Sequence, residues 1–336
     1  MIYFRAMLGV LVGRATATAA IVAAIFAVGA TSASAADSPT STAPVFAKLT
    51  LTVPDAFLVG HQLVTVPGRT VHVHGLVRPY VAGQWVLVKS SVNGKVFKTD
   101  HLRVRPAPGG RNGQFTESLS SPRAGRVTVR VGHTRNAALG ALLELRSFTA
   151  LDPDVSFGAT GPFVQLIQQQ LAALHFYIPQ TGVYDEGTGL AIDAYHRLLH
   201  RGTSQALDGR TVSYLLDGSG KFPLRFPKNG RHAEGNLSLQ LLALADGSNV
   251  VAIYPISSGK PSTPTILGNF RVYSKVPGYL PDGMYFSNFF ISGYAIHGYN
   301  PAPDYPASHG CMRVPIVDAI SIYNWLAVGN WVDTYY

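Results

Sequence analysis

Hydrophobic and polar residues alternate over the N-terminal part of the chain, from about residue 45 to residue 150. Alternation with a period of two places every second side chain on one face, which is typical of a half-buried β-strand. Such runs occur at residues 49–53, 71–77, 85–90 and 127–131, with turn signals at Asn93-Gly94 and Pro108-Gly109-Gly110. The pattern predicts an antiparallel β-sandwich over residues 45–150. Because no third ligand stands near His72 and His74, this pair is interpreted as strand surface rather than a metal site.

The periodicity changes to that of a helix at about residue 158. Gly161-Pro162 places a proline at a helix start, and an apolar stripe follows at Phe163, Leu166, Ile167, Leu171 and Leu174. A second stripe comprises Leu190, Ala191, Ala194, Tyr195 and Leu198, and a third short helix is predicted at residues 211–216. These features predict a three-helix unit within residues 151–217. His196 and His200 lie one helical turn apart without a third ligand, so they receive no metal role.

A β-type pattern returns from about residue 226, with strands predicted at residues 237–246, 249–259 and 269–276. A helical pattern follows at residues 320–326. The chain is therefore predicted to be multi-domain and mainly β. The expected domains are a sandwich at 45–150, a helical unit at 151–217 and a β-rich domain at 218–336.

The first 36 residues have the composition of a secretory signal peptide. Arg5 and Arg14 precede or flank an apolar run at residues 19–30, and Ala33-Ser34-Ala35 fits the small-x-small cleavage pattern. The run is too short and too rich in alanine for a confident membrane span. We expect a secreted, extracytoplasmic protein, with an uncleaved N-terminal anchor as the alternative. Residues 37–44 (DSPTSTAP) are interpreted as a flexible linker.

Composition narrows the class of protein. Hydrophobic residues make up 47% of the 336 positions and charged residues only 13%, which excludes a largely disordered chain. The net charge is +9, and residues 37–150 carry 14 Lys and Arg against 5 Asp and Glu. This basic segment favours an anionic wall polymer or a membrane surface as partner. No interleaving of aromatic and basic residues typical of nucleic-acid grooves occurs, so nucleic acid is not expected.

Cys311 is the only cysteine, which excludes an intramolecular disulfide and a multi-cysteine zinc site. It follows Ser308-His309-Gly310 in a loop rich in glycine and proline. Most free cysteines are buried as small hydrophobic residues. Here the neighbours are polar, and an unpaired thiol is a liability in an oxidising compartment unless it has a function. Cys311 is therefore predicted to be a nucleophile.

A nucleophilic cysteine needs a base within hydrogen-bond reach. His297 ends a strand-like run and is predicted to be the general base, with His309 in a supporting role. Backbone N–H groups of Gly310 and Cys311 are the candidates for an oxyanion hole, and Gly310 is expected to let a substrate carbonyl approach the backbone. Arg313 either holds a substrate carboxylate or forms a structural ion pair with a residue such as Asp318.

Two segments resemble known families. Residues 158–200 resemble a peptidoglycan-binding domain, through the Gly-Pro helix start, the Gln-rich first helix ending in LAALHFY and the turn TGVYDEGT. Ile296-His297-Gly298, followed by Ser308-His309-Gly310-Cys311-Met312-Arg313-Val314, resembles the catalytic motif of the L,D-transpeptidases of the YkuD type. The runs at residues 257–265 and 268–272 resemble that family's approach to the active site.

The second resemblance implies a β-sandwich-like mixed domain with Cys311 as nucleophile and His297 as proton acceptor and donor. Gly298, Ser308, His309, Gly310 and Arg313 are the surrounding motif positions; a backbone carbonyl is one candidate for the group that orients His297. The implied reaction is peptidoglycan cross-linking through a thioester, giving 3→3 links between stem peptides. It implies no metal or organic cofactor, and carbapenem-type β-lactams as inhibitors. The first resemblance implies docking on glycan strands or stem peptides.

Two other functions stay open. An L,D-carboxypeptidase would use the same two residues and let water replace the acceptor amine. A non-catalytic wall-binding protein would have lost the chemistry altogether, although the presence of His297, Cys311 and Arg313 together argues against that.

Overall fold

The computed structural model describes residues 47–135 and 139–336. The predicted signal peptide (1–36) and linker (37–44) lie outside the described residues. No helix within the described residues is long and apolar enough to cross a membrane.

The N-terminal part consists of strands that form a sandwich. Their bounds are β1 (Lys48–Thr52), β2 (Phe57–Val59), β3 (Gln62–Thr65), β4 (Thr70–Arg78), β5 (Trp85–Val92), β6 (Lys95–Arg103), β7 (Arg105–Pro106), β8 (Gly113–Ser120), β9 (Gly125–His133) and β10 (Leu142–Ala150). One sheet has the order β1-β4-β8-β7 and the other the order β2-β3-β10-β9-β5-β6. Alternate residues such as Val71, Val73, Val86 and Val129 fill the core between them. The predicted sandwich is confirmed.

One strand pair departs from the antiparallel pattern. Strand β3 runs parallel to β10, with Val64 opposite Thr149. The β2–β3 hairpin adds to the free edge of β10, and a residue pattern of period two specifies faces but not strand direction. The predicted turn at Asn93-Gly94 joins β5 to β6 directly, with φ of 49° and 79° as a two-residue hairpin turn requires.

Three helices follow, α1 (Pro162–Ala173), α2 (Glu186–Leu198) and α3 (Gly209–Leu216). Pro162 starts α1 as predicted, and Asp185 and Asp208 cap α2 and α3 by accepting backbone N–H bonds from Thr188 and Thr211. Their apolar stripes belong to one core that also includes Val59, Val64 and Val66 of the sandwich and Leu241, Ala243 and Ile253 of the C-terminal part. The helical unit therefore shares its core with both neighbours.

The C-terminal part holds two sheets and one helix. Its strands are β11 (Arg231–Asn236), β12 (Leu241–Asp246), β13 (Asn249–Pro255), β14 (Gly268–Arg271), β15 (Ser274–Tyr279), β16 (Tyr285–Ile291), β17 (Tyr294–Gly298), β18 (Met312–Val314) and β19 (Trp331–Tyr335), with α4 (Ile316–Trp325) after β18. The sheet orders are β13-β12-β11-β19-β14 and β15-β16-β17-β18. An apolar core that includes Ala233, Leu242, Ile296 and Val332 lies between them.

The structure differs from the sequence patterning at three strands here. The predicted strand at residues 269–276 is broken after Arg271, and its two parts, β14 and β15, belong to different sheets. The run at 237–246 was predicted as a single strand, but residues 237–240 form a turn and only β12 is extended. Asn236 closes the turn by accepting the backbone N–H of Leu239 at 3.0 Å. Strand β11 was not predicted, because its buried His232 and Glu234 interrupt the apolar alternation.

Candidate active site

The parallel pair of β17 and β18 brings the predicted site residues together. Its register places Ile296 opposite Met312, His297 opposite Arg313 and Gly298 opposite Val314. Ile296 and Met312 point into the core, so His297 and Arg313 lie on the other face. Cys311 directly precedes β18, at the open end of the pair.

A cavity of about 500 Å³ lies over this face. Five of the seven predicted site residues line it: His297, Ser308, His309, Cys311 and Arg313. Gly298 lies at the end of β17, beneath helix α4, where an added Cβ would stand 2.8 Å from the Cβ of Ala319. Its missing side chain lets the strand and the helix come into contact.

The thiol of Cys311 is held against strand β17. Its Sγ accepts the backbone N–H of Ala295 at 3.4 Å and lies 3.8 Å from the carbonyl oxygen of Gly293. Burial raises the pKa of the thiol, although the Ala295 N–H and the charge of Arg313 act in the opposite direction. The resting thiol is therefore protonated at neutral pH.

His297 is only 2% exposed and has a defined tautomer. Its Nδ1 lies 2.9 Å from the carbonyl oxygen of Gly298. A carbonyl can only accept, so Nδ1 carries the hydrogen and Nε2 of the neutral ring is a free base. The orienting group is thus a backbone carbonyl. Burial lowers the pKa of His297 to about 4, and the nearby charge of Arg313 acts in the same direction.

The second histidine of the motif is oriented differently. His309 also lines the cavity, but its Nε2 lies 3.3 Å from the Nζ of Lys260. A lysine ammonium only donates, so this nitrogen acts as its acceptor. His297 is therefore the histidine of the cavity whose basic nitrogen is not engaged by a neighbouring cation.

The loop that carries Cys311 is closed by Ser308. The Ser308 hydroxyl donates to the carbonyl oxygen of Cys311 at 2.6 Å and accepts the N–H of Gly310 at 3.0 Å. Of the two N–H groups expected in an oxyanion hole, that of Gly310 is thus already used. Within residues 47–135 and 139–336, no hydrogen-bond acceptor engages the N–H of Cys311.

Gly310 is required for a reason that differs from the prediction. Its φ is 120°, a conformation that favours glycine, and an added Cβ would lie 1.8 Å from Cε1 of Tyr294. The Tyr294 ring fills the space that a side chain at position 310 would need, so glycine is required there for packing as well as for its φ.

The run at residues 257–263 supports the loop from the other side. Ser257 exchanges two backbone hydrogen bonds with Arg313, at 2.8 and 3.0 Å. The Ser258 carbonyl accepts the N–H of Ser308, and the N–H of Lys260 and the hydroxyl of Thr263 donate to the carbonyl of Ser308. The segment that resembled the family's approach to the active site thus packs directly on the nucleophile loop.

A buried arginine of the helical unit reaches this support. Arg197 of α2 forms an ion pair with Asp193 and donates to the carbonyl of Gln240 at 3.0 Å. The side chain of Gln240 in turn exchanges hydrogen bonds of 2.8 Å with the hydroxyl and the N–H of Ser258. A chain of buried contacts therefore runs from α2 to the residue that holds Ser308.

Arg313 does not pair with Asp318. Its guanidinium lies 4.0 Å above the ring of Tyr299, and no ion pair within the described residues includes it. Asp318 is buried in the first turn of α4, and burial raises its pKa to about 7. Of the two roles considered for Arg313, the structural ion pair with Asp318 is therefore wrong.

Sequence reasoning missed Asp282. It is exposed on the turn between β15 and β16 and is the one carboxylate that lines the described cavity. Its charge raises the pKa of both Cys311 and His297. The signal for its position was the turn sequence Pro281-Asp282-Gly283 between two β-type runs. No cluster of ligands suited to a metal ion occurs among the residues that the structure describes.

The thiol, the oriented imidazole and the supported loop therefore lie together at one cavity. Residues 230–333 match the family model described as the YkuD L,D-transpeptidase catalytic domain. The C-terminal part of the chain is therefore a YkuD-type L,D-transpeptidase catalytic domain.

Parts of the chain are also similar to solved structures of L,D-transpeptidases. The L,D-transpeptidase of Xylanimonas cellulosilytica is 28% identical, with a TM-score of 0.50, and covers 55% of this chain and 100% of its own. An L,D-transpeptidase of Stackebrandtia nassauensis is 18% identical over 55% of this chain and 95% of its own, with a TM-score of 0.36. The catalytic domain of the E. faecium L,D-transpeptidase is 24% identical over 32% and 98%, with a TM-score of 0.29. Among curated proteins no match was found.

Proposed function

We propose that the protein is a secreted peptidoglycan L,D-transpeptidase that forms 3→3 cross-links through a thioester on Cys311, with His297 as acid and base. One observation carries the proposal. In a YkuD-type domain, the only thiol faces a cavity that also contains an imidazole whose Nδ1 is held by the Gly298 carbonyl and whose Nε2 is a free base.

The first step starts from a neutral pair, because the pKa of the thiol is raised and that of the imidazole lowered. Nε2 of His297 accepts the Sγ proton while sulfur attacks the carbonyl carbon of the third residue of a tetrapeptide stem. The Cys311 N–H is the proposed donor to the oxyanion. The C–N bond to the terminal D-alanine then breaks, and His297 returns the proton to the leaving amine.

The second step transfers the acyl group. A side-chain amine of a neighbouring stem attacks the thioester carbon, loses a proton to His297 and forms the new amide as the thiol is restored. We assign Asp282 to attract the cationic acceptor amine and Arg313 to bind a stem carboxylate. Asp282 and Arg313 line the same cavity with opposite charges, so they distinguish the cationic end of a zwitterionic substrate from its anionic end.

The carboxypeptidase alternative uses the same first step, with water as acceptor. Asp282 favours transfer over hydrolysis, since a carboxylate attracts a cationic amine but gives no such advantage to neutral water. A non-catalytic wall-binding protein is the third possibility, and the supported thiol loop and tautomer-defined His297 argue against it.

We also propose wall attachment through the helical unit. Residues 158–200 resemble a peptidoglycan-binding domain, and their helices α1 and α2 pack on the same core as the catalytic sheet. Docking of glycan strands there would hold stem peptides near the Cys311 cavity. Secretion of the chain through residues 1–36 is part of this proposal.

Intact-protein mass spectrometry tests the nucleophile. The purified chain is incubated with a carbapenem or with a tetrapeptide stem, and a covalent adduct is expected that is absent in Cys311→Ala. An adduct on Cys311→Ala would contradict the assignment. No adduct on a folded wild-type chain under any condition would favour the wall-binding alternative.

A charge-matched pair tests the acceptor assignment. With stem donor and an amine acceptor supplied together, Asp282→Asn should lower the ratio of cross-linked to hydrolysed product by roughly three- to tenfold. Asp304→Asn removes one exposed carboxylate outside the cavity lining and should leave the ratio unchanged. Equal effects of the two variants would contradict the role of Asp282, while acylation by a carbapenem would still report on Cys311.

A further inference from the structure

The outward face of the six-stranded sheet in the sandwich carries a second concave feature. Strand register places Leu87, Gly132 and Leu143 in one row across β5, β9 and β10. Because Gly132 has no side chain, the row has a gap between two leucines. A groove of about 590 Å³ opens there.

The groove combines an aromatic end with a basic end. Trp85 is 53% exposed at one end, and Lys89 and Arg130 stand side by side in the next row of the sheet. Leu143 is also 53% exposed and forms part of the lining. Apolar side chains with a few charged groups in a concave site are typical of ligand-binding surfaces.

The charge on this face has one sign. The outward positions of strands β5, β6, β9 and β10 include four cations, Lys89, Arg103, Arg126 and Arg130. The two carboxylates of these strands, Asp100 and Glu144, are paired in register with the inward-facing Val88 and Val131 and so point to the other side. No ion pair within the described residues uses any of the four cations.

The other end of the same sheet face is already occupied. Phe57, Val59 and Val64 of β2 and β3 pack into the core shared with the helices. The open groove therefore lies on the side of the sheet that also carries the helical unit. A ligand in the groove and a glycan strand on the helices would approach the protein from one side.

From this arrangement we propose that the groove binds an anionic polysaccharide of the cell wall. The four unpaired cations complement acidic groups that repeat along a polymer chain. Because all four are positive, they raise the local concentration of such a polyanion. The ring of Trp85 offers a flat apolar surface to the face of a sugar ring, and Leu87 and Leu143 add apolar contact beside it. The concave, sheet-borne shape fits a linear chain better than the flat surface of a bilayer.

Binding to isolated cell walls tests the proposal, with Cys311→Ala in every variant to prevent covalent attachment. Lys89→Gln with Arg130→Gln should weaken binding by roughly five- to tenfold at low salt. The matched control is Arg105→Gln with Arg111→Gln, which removes two exposed charges away from the groove. Trp85→Ala should weaken binding at high salt as well, because stacking is screened less than charge pairing.

Two further arms identify the ligand. Removing phosphodiester-linked polymers from the walls should abolish the difference between the groove variant and the control if the acidic groups are phosphates. If the difference persists, carboxylates of the remaining wall glycan are the acidic groups. Equal loss in the groove and control variants would overturn the proposal. So would unchanged wall binding in the groove variant, or a preference of the wild-type groove for anionic lipid vesicles over walls.

Discussion

The Cys311 cavity and the groove on the sandwich use charge in opposite ways. In the cavity the imidazole of His297 is 2% exposed, and burial shifts its pKa and that of Cys311 so that both groups rest neutral. In the groove the cations are exposed and have no ionic partner within the described residues. The cavity therefore depends on the position of a few neutral groups, whereas the groove depends on the summed charge of several exposed cations.

The largest effect is expected for His297, with His309 as the matched control. His297→Asn should lower the rate of acylation by a carbapenem by about 10²–10⁴-fold, since it removes the proton acceptor. His309→Asn should change that rate by no more than about fivefold, since its Nε2 faces Lys260. Stopped-flow fluorescence or timed mass spectrometry measures both. Loss of acylation with His309→Asn alone would reverse the assignment.

The buried link from α2 to the nucleophile loop comes next. Arg197→Gln leaves Asp193 buried without its partner and should lower the free energy of unfolding by about 3–5 kcal/mol. Adding Asp193→Asn should restore much of this stability, because the stranded charge is gone. We expect the folded double variant to be acylated at Cys311 more slowly than wild type, because Arg197 no longer positions Ser258 through Gln240. A double variant with normal stability and a normal acylation rate would show a purely structural role.

The pH dependence of acylation separates a buried imidazole from an exposed one. Burial lowers the pKa of His297 to about 4, so the neutral base persists as the pH falls through 6 and 5. The acylation rate should be constant across that range and fall about tenfold per pH unit below about pH 4. With an ordinary histidine as base, the rate would start to fall near pH 6.5. A carbapenem acylation profile with its inflection near pH 6.5 would contradict the burial of this group.

The smallest effects are expected in the groove. Lys89→Gln alone should leave carbapenem acylation unchanged and the free energy of unfolding within about 0.5 kcal/mol of wild type. It should reproduce roughly half, on a logarithmic scale, of the loss in wall binding caused by the double substitution, because exposed charges act nearly additively. Strongly non-additive effects of Lys89→Gln and Arg130→Gln on wall binding would show that the groove, like the cavity, depends on the position of individual groups.

Much of the fold followed from local patterns. The helix start at Pro162, the hairpin at Asn93-Gly94 and the alternating strands of the sandwich are all features whose residues contact near neighbours. Strand β11 was missed because its buried His232 and Glu234 are satisfied by each other and by the backbone of residues 225, 226 and 230. That compensation depends on contacts that a period-two pattern does not contain.

The candidate nucleophile could be identified from the amino-acid sequence, since the chain contains one cysteine, and His297 and Arg313 stand in the motif around it. Three features became visible only in the folded chain: the Gly298 carbonyl orients His297, Tyr294 fills the space beside Gly310, and Arg313 lies over Tyr299. The fold also shows that Asp282 lines the cavity and that Arg197 supports the nucleophile loop through Gln240. The reason is physical: a residue's chemistry is carried by its own atoms, whereas its pKa, tautomer and partners are set by groups that the chain brings near only when it folds.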